Sequence, residues 1–172
     1  MDIQNKILTR GGEFIVRDTN CEEIFTPEDF NDEQKMMREA VKEFADKEIW
    51  SKKHEFEKHN YELTEKVMEK AGNLGFLGVG VPEEYGGLGM PLTSSVLVCD
   101  YFSGSSGSTS TAFGAHTGIG TMPILLYGNE EQKKKYIPKL ATGEHIGAYC
   151  LTEPSAGSCL LYTSPSPRDT SS

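Results

Sequence analysis

No Cys-x-x-Cys pair occurs in this 172-residue chain, whose four cysteines, Cys21, Cys99, Cys150 and Cys159, stand far apart. The usual zinc spacings and a disulfide framework are thereby excluded, no metal site is expected, and a reducing cytosol is the default setting. Positive charge is also scarce. Seventeen Lys and Arg face twenty-six Asp and Glu, a net charge of −9, which argues against nucleic acid and against an anionic membrane surface as partners. A signal-peptide core is missing, because Asp2, Lys6, Arg10 and Glu13 interrupt the first sixteen residues. From Tyr101 to Asn129 there is no charged residue, yet six Gly, five Ser and four Thr lie in that stretch. A spanning helix needs about 20 predominantly apolar residues, so no integral membrane span is expected.

Several catalytic signatures are absent as well. No Gly is followed by Lys, which removes the P-loop. Gly78-Val79-Gly80 lacks the third glycine of a dinucleotide fingerprint and follows a helical pattern rather than a strand. No His-Glu-x-x-His occurs, and Gly104-Ser105-Ser106-Gly107 would need Gly at Ser108 to be a nucleophile elbow. His54 and His59 lie in a charged stretch and read as solvated, with His145 far from both. His116, in the glycine-rich segment, is close enough to small residues to meet a ligand, but reads first as a hydrogen-bonded packing residue. Lys133-Lys134-Lys135 reads as a solvated helix face.

What remains is a helical pattern with 37% hydrophobic residues, enough for one domain. After an irregular arm, Thr26-Pro27-Glu28-Asp29 predicts a short turn with Thr26 as cap. Asn31-Asp32-Glu33-Gln34 offers a capping box. Met36, Met37, Ala40, Val41, Phe44, Ala45 and Ile49 then recur at steps of three and four, one apolar stripe. A second helix is expected from about Tyr61 to Leu74, with Leu63, Val67, Ala71 and Leu74 inward and Gly75 ending it. Glycines and prolines punctuate residues 75–91, and Leu92 to Phe102 suggests a third helix with Val96, Leu97 and Tyr101 inward. The Gly/Ser/Thr region that follows fits either a linker or a closely packed helix. Asn129-Glu130-Glu131-Gln132 repeats the capping pattern before a basic helix ending near Ala141, and Ile146 to Leu151 reads as a strand.

The stretch from Tyr149 to Ser158 runs from that expected strand into a Pro/Gly turn, placing backbone N–H groups and small hydroxyls where a ligand can lie. Leu151-Thr152-Glu153-Pro154-Ser155-Ala156-Gly157-Ser158 resembles the signature of the flavin-dependent acyl-CoA dehydrogenases. Gly75-Phe76-Leu77-Gly78, the segment Val81 to Gly89 and the segment Gln132 to Glu144 are similar to family patterns in the same order. Gly114-Ala115-His116 followed by Ile119-Gly120 is similar to the very-long-chain branch. The resemblance covers about Phe25 to Ser158.

The resemblance implies an all-α fold class: the N-terminal helical-bundle domain over 26–144, preceded by an arm at 1–25 and followed at 145–158 by the first strand of a middle β-domain. It also resolves the ambiguous region in favour of a buried helix. FAD is the implied cofactor, lined by Tyr149, Cys150, Leu151, Thr152, Gly157 and Ser158. Thr152 is expected to hydrogen-bond the flavin ring, and Ser158 to reach the cofactor or the acyl-CoA substrate. The catalytic glutamate belongs to a C-terminal domain outside this chain, so Glu83, Glu84, Glu144 and Glu153 are not assigned that role. Implied partners are a fatty acyl-CoA, an electron-transfer flavoprotein and, at full length, further copies in a homo-oligomer. The implied setting is fatty acid β-oxidation, in bacterial cytoplasm or the mitochondrial matrix. A stand-alone helical interaction module and an acyl-CoA oxidase-type flavoenzyme are the alternatives.

After Ser158 the family continues with Asp, whereas this chain reads Cys159-Leu160-Leu161-Tyr162-Thr163-Ser164-Pro165. Residues 159–172 show no periodicity and are expected to form a disordered tail. One coding sequence for them resembles a transposase adapter used in sequencing libraries, so the tail is expected to be non-native. The chain as written is expected neither to dehydrogenate acyl-CoA nor to hold FAD tightly.

Overall fold

Three capping boxes set where the chain turns helical. The computed structural model describes residues 8–154 and 157–158; the expected tail at 159–172 lies outside them. The Thr26/Asp29 box closes a single 3-10 turn, Pro27–Asp29. At Asn31, Oδ1 accepts from the Gln34 N–H at 2.8 Å while the Gln34 side chain accepts from Asn31 N–H at 3.1 Å. The Asn129/Gln132 pair repeats this geometry. Each box satisfies two backbone donors that a helix start leaves open.

Among the described residues the elements are all helical. They are α1 (Glu13–Val16), α2 (Asp32–Phe44), α3 (Lys53–Glu57), α4 (Tyr61–Asn73), α5 (Leu92–Ser105), α6 (Gly107–Gly114), α7 (Met122–Tyr127) and α8 (Glu130–Thr142), joined by 3-10 and π turns. The expected strand at Ile146–Leu151 is not formed. Its residues are irregular, because a strand is defined by a paired neighbour and none of the described residues supplies one. The ambiguous Gly/Ser/Thr region is helical, as the resemblance implied, but it is not the buried helix expected: of residues 104–126 only Thr109, Phe113, His116 and Thr121 are buried. It is not one helix, however: Ser106 is extended at φ −161°, splitting α5 from α6.

One apolar core organises these helices. Val41, Phe44, Ala45, Ile49, Val67, Ala71, Val98 and Phe102 are buried within it. The rings of Phe76, Phe44, Phe102 and Phe113 follow one another with centroids 5.4, 5.7 and 4.4 Å apart, the first two within the range of favourable aromatic pairs and the last at its lower edge. A smaller cluster of Val81, Tyr85, Ile137, Leu140 and Ala141 sits beneath α8. Gln34 links cap and core. Its Nε2 donates to Thr93 Oγ1 at 2.9 Å and to Ser94 Oγ at 3.3 Å, so the residue that caps α2 also ties it to the start of α5. Gly72 lets α4 and α8 touch, since a Cβ there would lie 2.0 Å from the Thr142 carbonyl oxygen.

Glu48, in the π turn Ala45–Ile49, accepts from Lys52 and from Lys70, both at 2.7 Å. The two lysine hydrogen bonds draw its carboxyl down from 4.5 to about 2. A carboxyl lowered on folding contributes stability that is complete above 4.5 and is lost as pH falls toward 2. Glu48→Gln is therefore expected to lower the thermal midpoint at neutral pH and to flatten its fall across that acid window, read by thermal denaturation at several pH values. An unchanged acid limb would show that the ion pair contributes nothing.

Candidate functional site

The apolar residues that periodicity sends inward but the fold leaves out mark the concave surfaces. Val96 is 60% exposed and Met122 39% exposed, although both belong to apolar runs. Together with Leu92, Phe76, Val81 and Met90 they line a cavity of about 580 Å³. Small residues widen its floor: Gly80, Ser95, Gly114, Thr117 and Gly118. No Asp, Glu, Lys, Arg or His lines it. Such a surface takes hydrocarbon, not a charged group.

The loop Val81 to Gly89 holds one lip of this cavity. Gly86 sits at φ +84°, a left-handed position suited to glycine. Gly87 packs so closely that a Cβ would lie 2.0 Å from the Val81 carbonyl oxygen. The turn is closed by Leu88 N–H to the Gly78 carbonyl at 2.9 Å and Met90 N–H to the Val79 carbonyl at 2.9 Å. Tyr85 then reaches across, donating from Oη to Glu130 Oε2 at 2.8 Å. That bond to a carboxylate raises the phenol to about 12 and lowers the Glu130 carboxyl.

The opposite wall is the π turn Ala115–Thr121 with its flanks. Its wide turn carries Thr117 and Gly118 into the cavity, while His116 points into the protein, completely buried. His116 Nε2 lies 2.9 Å from the Leu140 carbonyl oxygen, and its Nδ1 accepts from Gly147 N–H at 2.9 Å. Those two bonds require a neutral ring with its proton on Nε2. Burial accordingly pushes the imidazole below its ordinary value, opposed by the Leu140 hydrogen bond. Hydrogen-bonded packing, the first reading of His116, is what the fold shows.

The sequence-derived site residues lie past this histidine on the surface. Tyr149 is 58% and Leu151 43% exposed, and Cys150, Thr152, Gly157 and Ser158 are exposed too. Among the described residues, none of Tyr149–Thr152 makes a hydrogen bond. The fold thus brings the segment beside the π turn through Gly147 but leaves its polar groups open. Glu83, Glu84, Glu144 and Glu153 do not line the cavity, and Glu144 is paired with Lys139 at 2.8 Å. No group of three or more metal-ligating side chains occurs among the described residues, and no helix among them is long and apolar enough to cross a membrane. A second groove of about 450 Å³ between α2 and α4 is rimmed by Glu43, Lys47, Glu48 and Lys70, charges that disfavour a hydrocarbon. Sequence reading missed the apolar cavity itself; Leu92, Val96 and Met122 on uncovered faces were its only local sign.

Residues 31–144 match the N-terminal domain of acyl-CoA dehydrogenases. The chain belongs to the acyl-CoA dehydrogenase family. It is 47% identical over 152 residues to a probable acyl-CoA dehydrogenase of Bacillus subtilis, covering 88% of this chain and 25% of the relative. It is 40% identical to the mitochondrial isovaleryl-CoA dehydrogenase of Solanum tuberosum, covering 75% of this chain and 32% of that protein. A short-chain-specific acyl-CoA dehydrogenase of Clostridium acetobutylicum is also 40% identical, with 75% and 34% covered. Among solved structures, an acyl-CoA dehydrogenase from Bacillus anthracis complexed with FAD superposes with a TM-score of 0.79 at 46% identity, over 88% of this chain and 26% of that one. A structure described as the electron transferring flavoprotein of Acidaminococcus fermentans matches with a TM-score of 0.69 at 36% identity, over 75% and 34%.

This acyl-CoA dehydrogenase-family chain spans about a quarter to a third of the length of the relatives it matches. The lean toward a very-long-chain branch finds no support, since the relatives reported above whose names state a substrate are isovaleryl-CoA and short-chain enzymes. The motif divides between two places in the structure: Gly114 lines the cavity, whereas His116 and Gly120 face the other way. His116 and Gly120 pack against Gly147 and tie the domain together.

Proposed function

We propose that this chain is the N-terminal part of an FAD-dependent acyl-CoA dehydrogenase that introduces a double bond between Cα and Cβ of a fatty acyl-CoA thioester. The observation that carries the reading is the uncharged cavity of about 580 Å³. It is concave, apolar and fitted with small residues, as an alkyl chain requires. Family membership supplies the reaction class that the cavity would serve.

The chain's own residues fit FAD on a separate ground. Tyr149 and Leu151 present exposed apolar surface, and the N–H and carbonyl groups of Tyr149, Cys150, Leu151 and Thr152 are unpaired among the described residues. Both are open to solvent, and a planar ring edged with hydrogen-bonding atoms would replace the water on them. Thr152 would hold the ring, Gly157 would permit close approach, and Ser158 would reach the cofactor or the thioester arm. When bound, FAD supplies the acceptor for the β-hydride. The cavity meanwhile buries the alkyl chain, excludes water from it and fixes the reacting carbons. A carboxylate outside this chain would take the α-proton. A separate electron-transferring flavoprotein would receive the electrons, as the family resemblance implies.

The full-length protein, purified from its native gene, is expected to carry FAD and to convert saturated acyl-CoA to the trans-2-enoyl thioester with an artificial electron acceptor. Mass spectrometry of the thioester reads the loss of two hydrogens. Protein that carries FAD but leaves every saturated thioester unchanged would overturn the proposal.

A further inference from the structure

We infer that His116 is a positioning residue that clamps the start of the Tyr149–Thr152 segment to the back of the cavity wall, coupling the two halves of the site. The inference rests on the function proposed above. One turn of backbone serves two faces: Thr117 and Gly118 look into the cavity, while the His116 ring looks away from solvent toward α8 and Gly147. Nε2 fixes the ring on the Leu140 carbonyl at 2.9 Å, which leaves Nδ1 free to accept from Gly147 N–H at 2.9 Å. Thr121 Oγ1 donates to the His116 carbonyl at 2.7 Å and holds the turn itself.

Backbone contact completes the clamp. A Cβ on Gly120 would lie 2.7 Å from the Gly147 carbonyl carbon, and a Cβ on Gly147 would lie 2.9 Å from Gly120 Cα. Only a glycine pair allows this approach without displacement. Among the described residues, the bond to His116 is the only hydrogen bond made by Ile146–Thr152. Beyond the His145 N–H bond to the Lys139 carbonyl at 3.0 Å, which anchors the chain just before it, the segment is held to the back of the cavity wall by one imidazole nitrogen and one glycine contact. The role is positioning: His116 is sealed from the cavity and touches no reacting group.

Two near-isosteres separate the two bonds of the ring. In His116→Asn, Oδ1 stands near the place of Nδ1 and can accept from Gly147; in His116→Gln, the amide NH₂ can still donate to Leu140, but nothing accepts from Gly147. Both are made in the full-length protein. His116→Gln is expected to weaken FAD retention by about tenfold and to speed exchange of the Gly147 amide by about tenfold, the scale of one buried hydrogen bond. His116→Asn is expected to stay within about threefold of wild type in both, although it loses the Leu140 bond. Equal behaviour of the two variants, or a Gly147 amide that exchanges at the wild-type rate in His116→Gln, would overturn the clamp. A wild-type protein that binds no FAD would instead count against the proposed function, while the amide exchange rate still decides the role of His116.

Discussion

Gly114→Phe in the full-length protein is expected to cut kcat/KM for long acyl-CoA thioesters by roughly 60-fold, while chains too short to reach it are barely affected. Gly114 lines the cavity, and a Cβ built on it meets nothing within 4 Å. Its backbone is ordinary right-handed helix, at φ −66° and ψ −39°, so a side chain costs no backbone strain and enters open space. A benzyl group that displaces about three methylenes forfeits about 2.4 kcal/mol of burial at about 0.8 kcal/mol each, which is the 60-fold loss. The readout is kcat/KM across a series of acyl lengths. A uniform fall at every length would mean a folding defect, and no fall at any length would mean the alkyl chain lies elsewhere.

Phe102→Ala should destabilise the domain by about 4 kcal/mol, within the range for emptying a buried phenylalanine site. Phe102 is completely buried and stacks on Phe113 at 4.4 Å and on Phe44 at 5.7 Å. Its removal interrupts the aromatic series that joins α2, α5 and α6, and the neighbouring rings cannot all close the gap. Loss of that size is a large share of the roughly 5–15 kcal/mol that holds a folded protein together. Urea unfolding of the full-length protein, with Phe102→Leu as a volume-preserving comparison expected to cost under about 2 kcal/mol, checks it. A cost below about 1 kcal/mol for Phe102→Ala would place the core elsewhere.

Much of this architecture was legible in the residues. The Asn31/Gln34 and Asn129/Gln132 boxes announce their helices because capping is local chemistry, complete within four residues. The inward stripe holds for Val41 and Phe44 of α2 and for Ala45 and Ile49 of the π turn after it, but fails for Met36, which is 66% exposed, and for Ala40, also exposed. Leu74 and Val96 fail likewise, at 56% and 60% exposed, while Val98 and Phe102, fully buried, were not anticipated. Periodicity finds an apolar face but cannot say what covers it; Val96 is left open because it lines the cavity.

The site was legible only in outline. Tyr149 to Ser158 stood out through resemblance to a family, not through any local rule. The strand expected at Ile146–Leu151 has the right residues and no partner among those described. The clamp of Gly120 on Gly147 has no sequence signature, because it depends on two glycines brought together by the intervening helices. His116 gave half of its role: buried polar residues take hydrogen bonds, but which groups it joins is a tertiary fact.

The most direct measurement is a crystal structure of the full-length protein with FAD and a saturated acyl-CoA analogue. The alkyl chain is expected against Val96, Cys99 and Gly114, with the flavin ring against Tyr149–Thr152 and the His116–Gly147 bond intact. A cavity plugged by protein side chains, with the alkyl chain and flavin bound away from these residues, would contradict the reading.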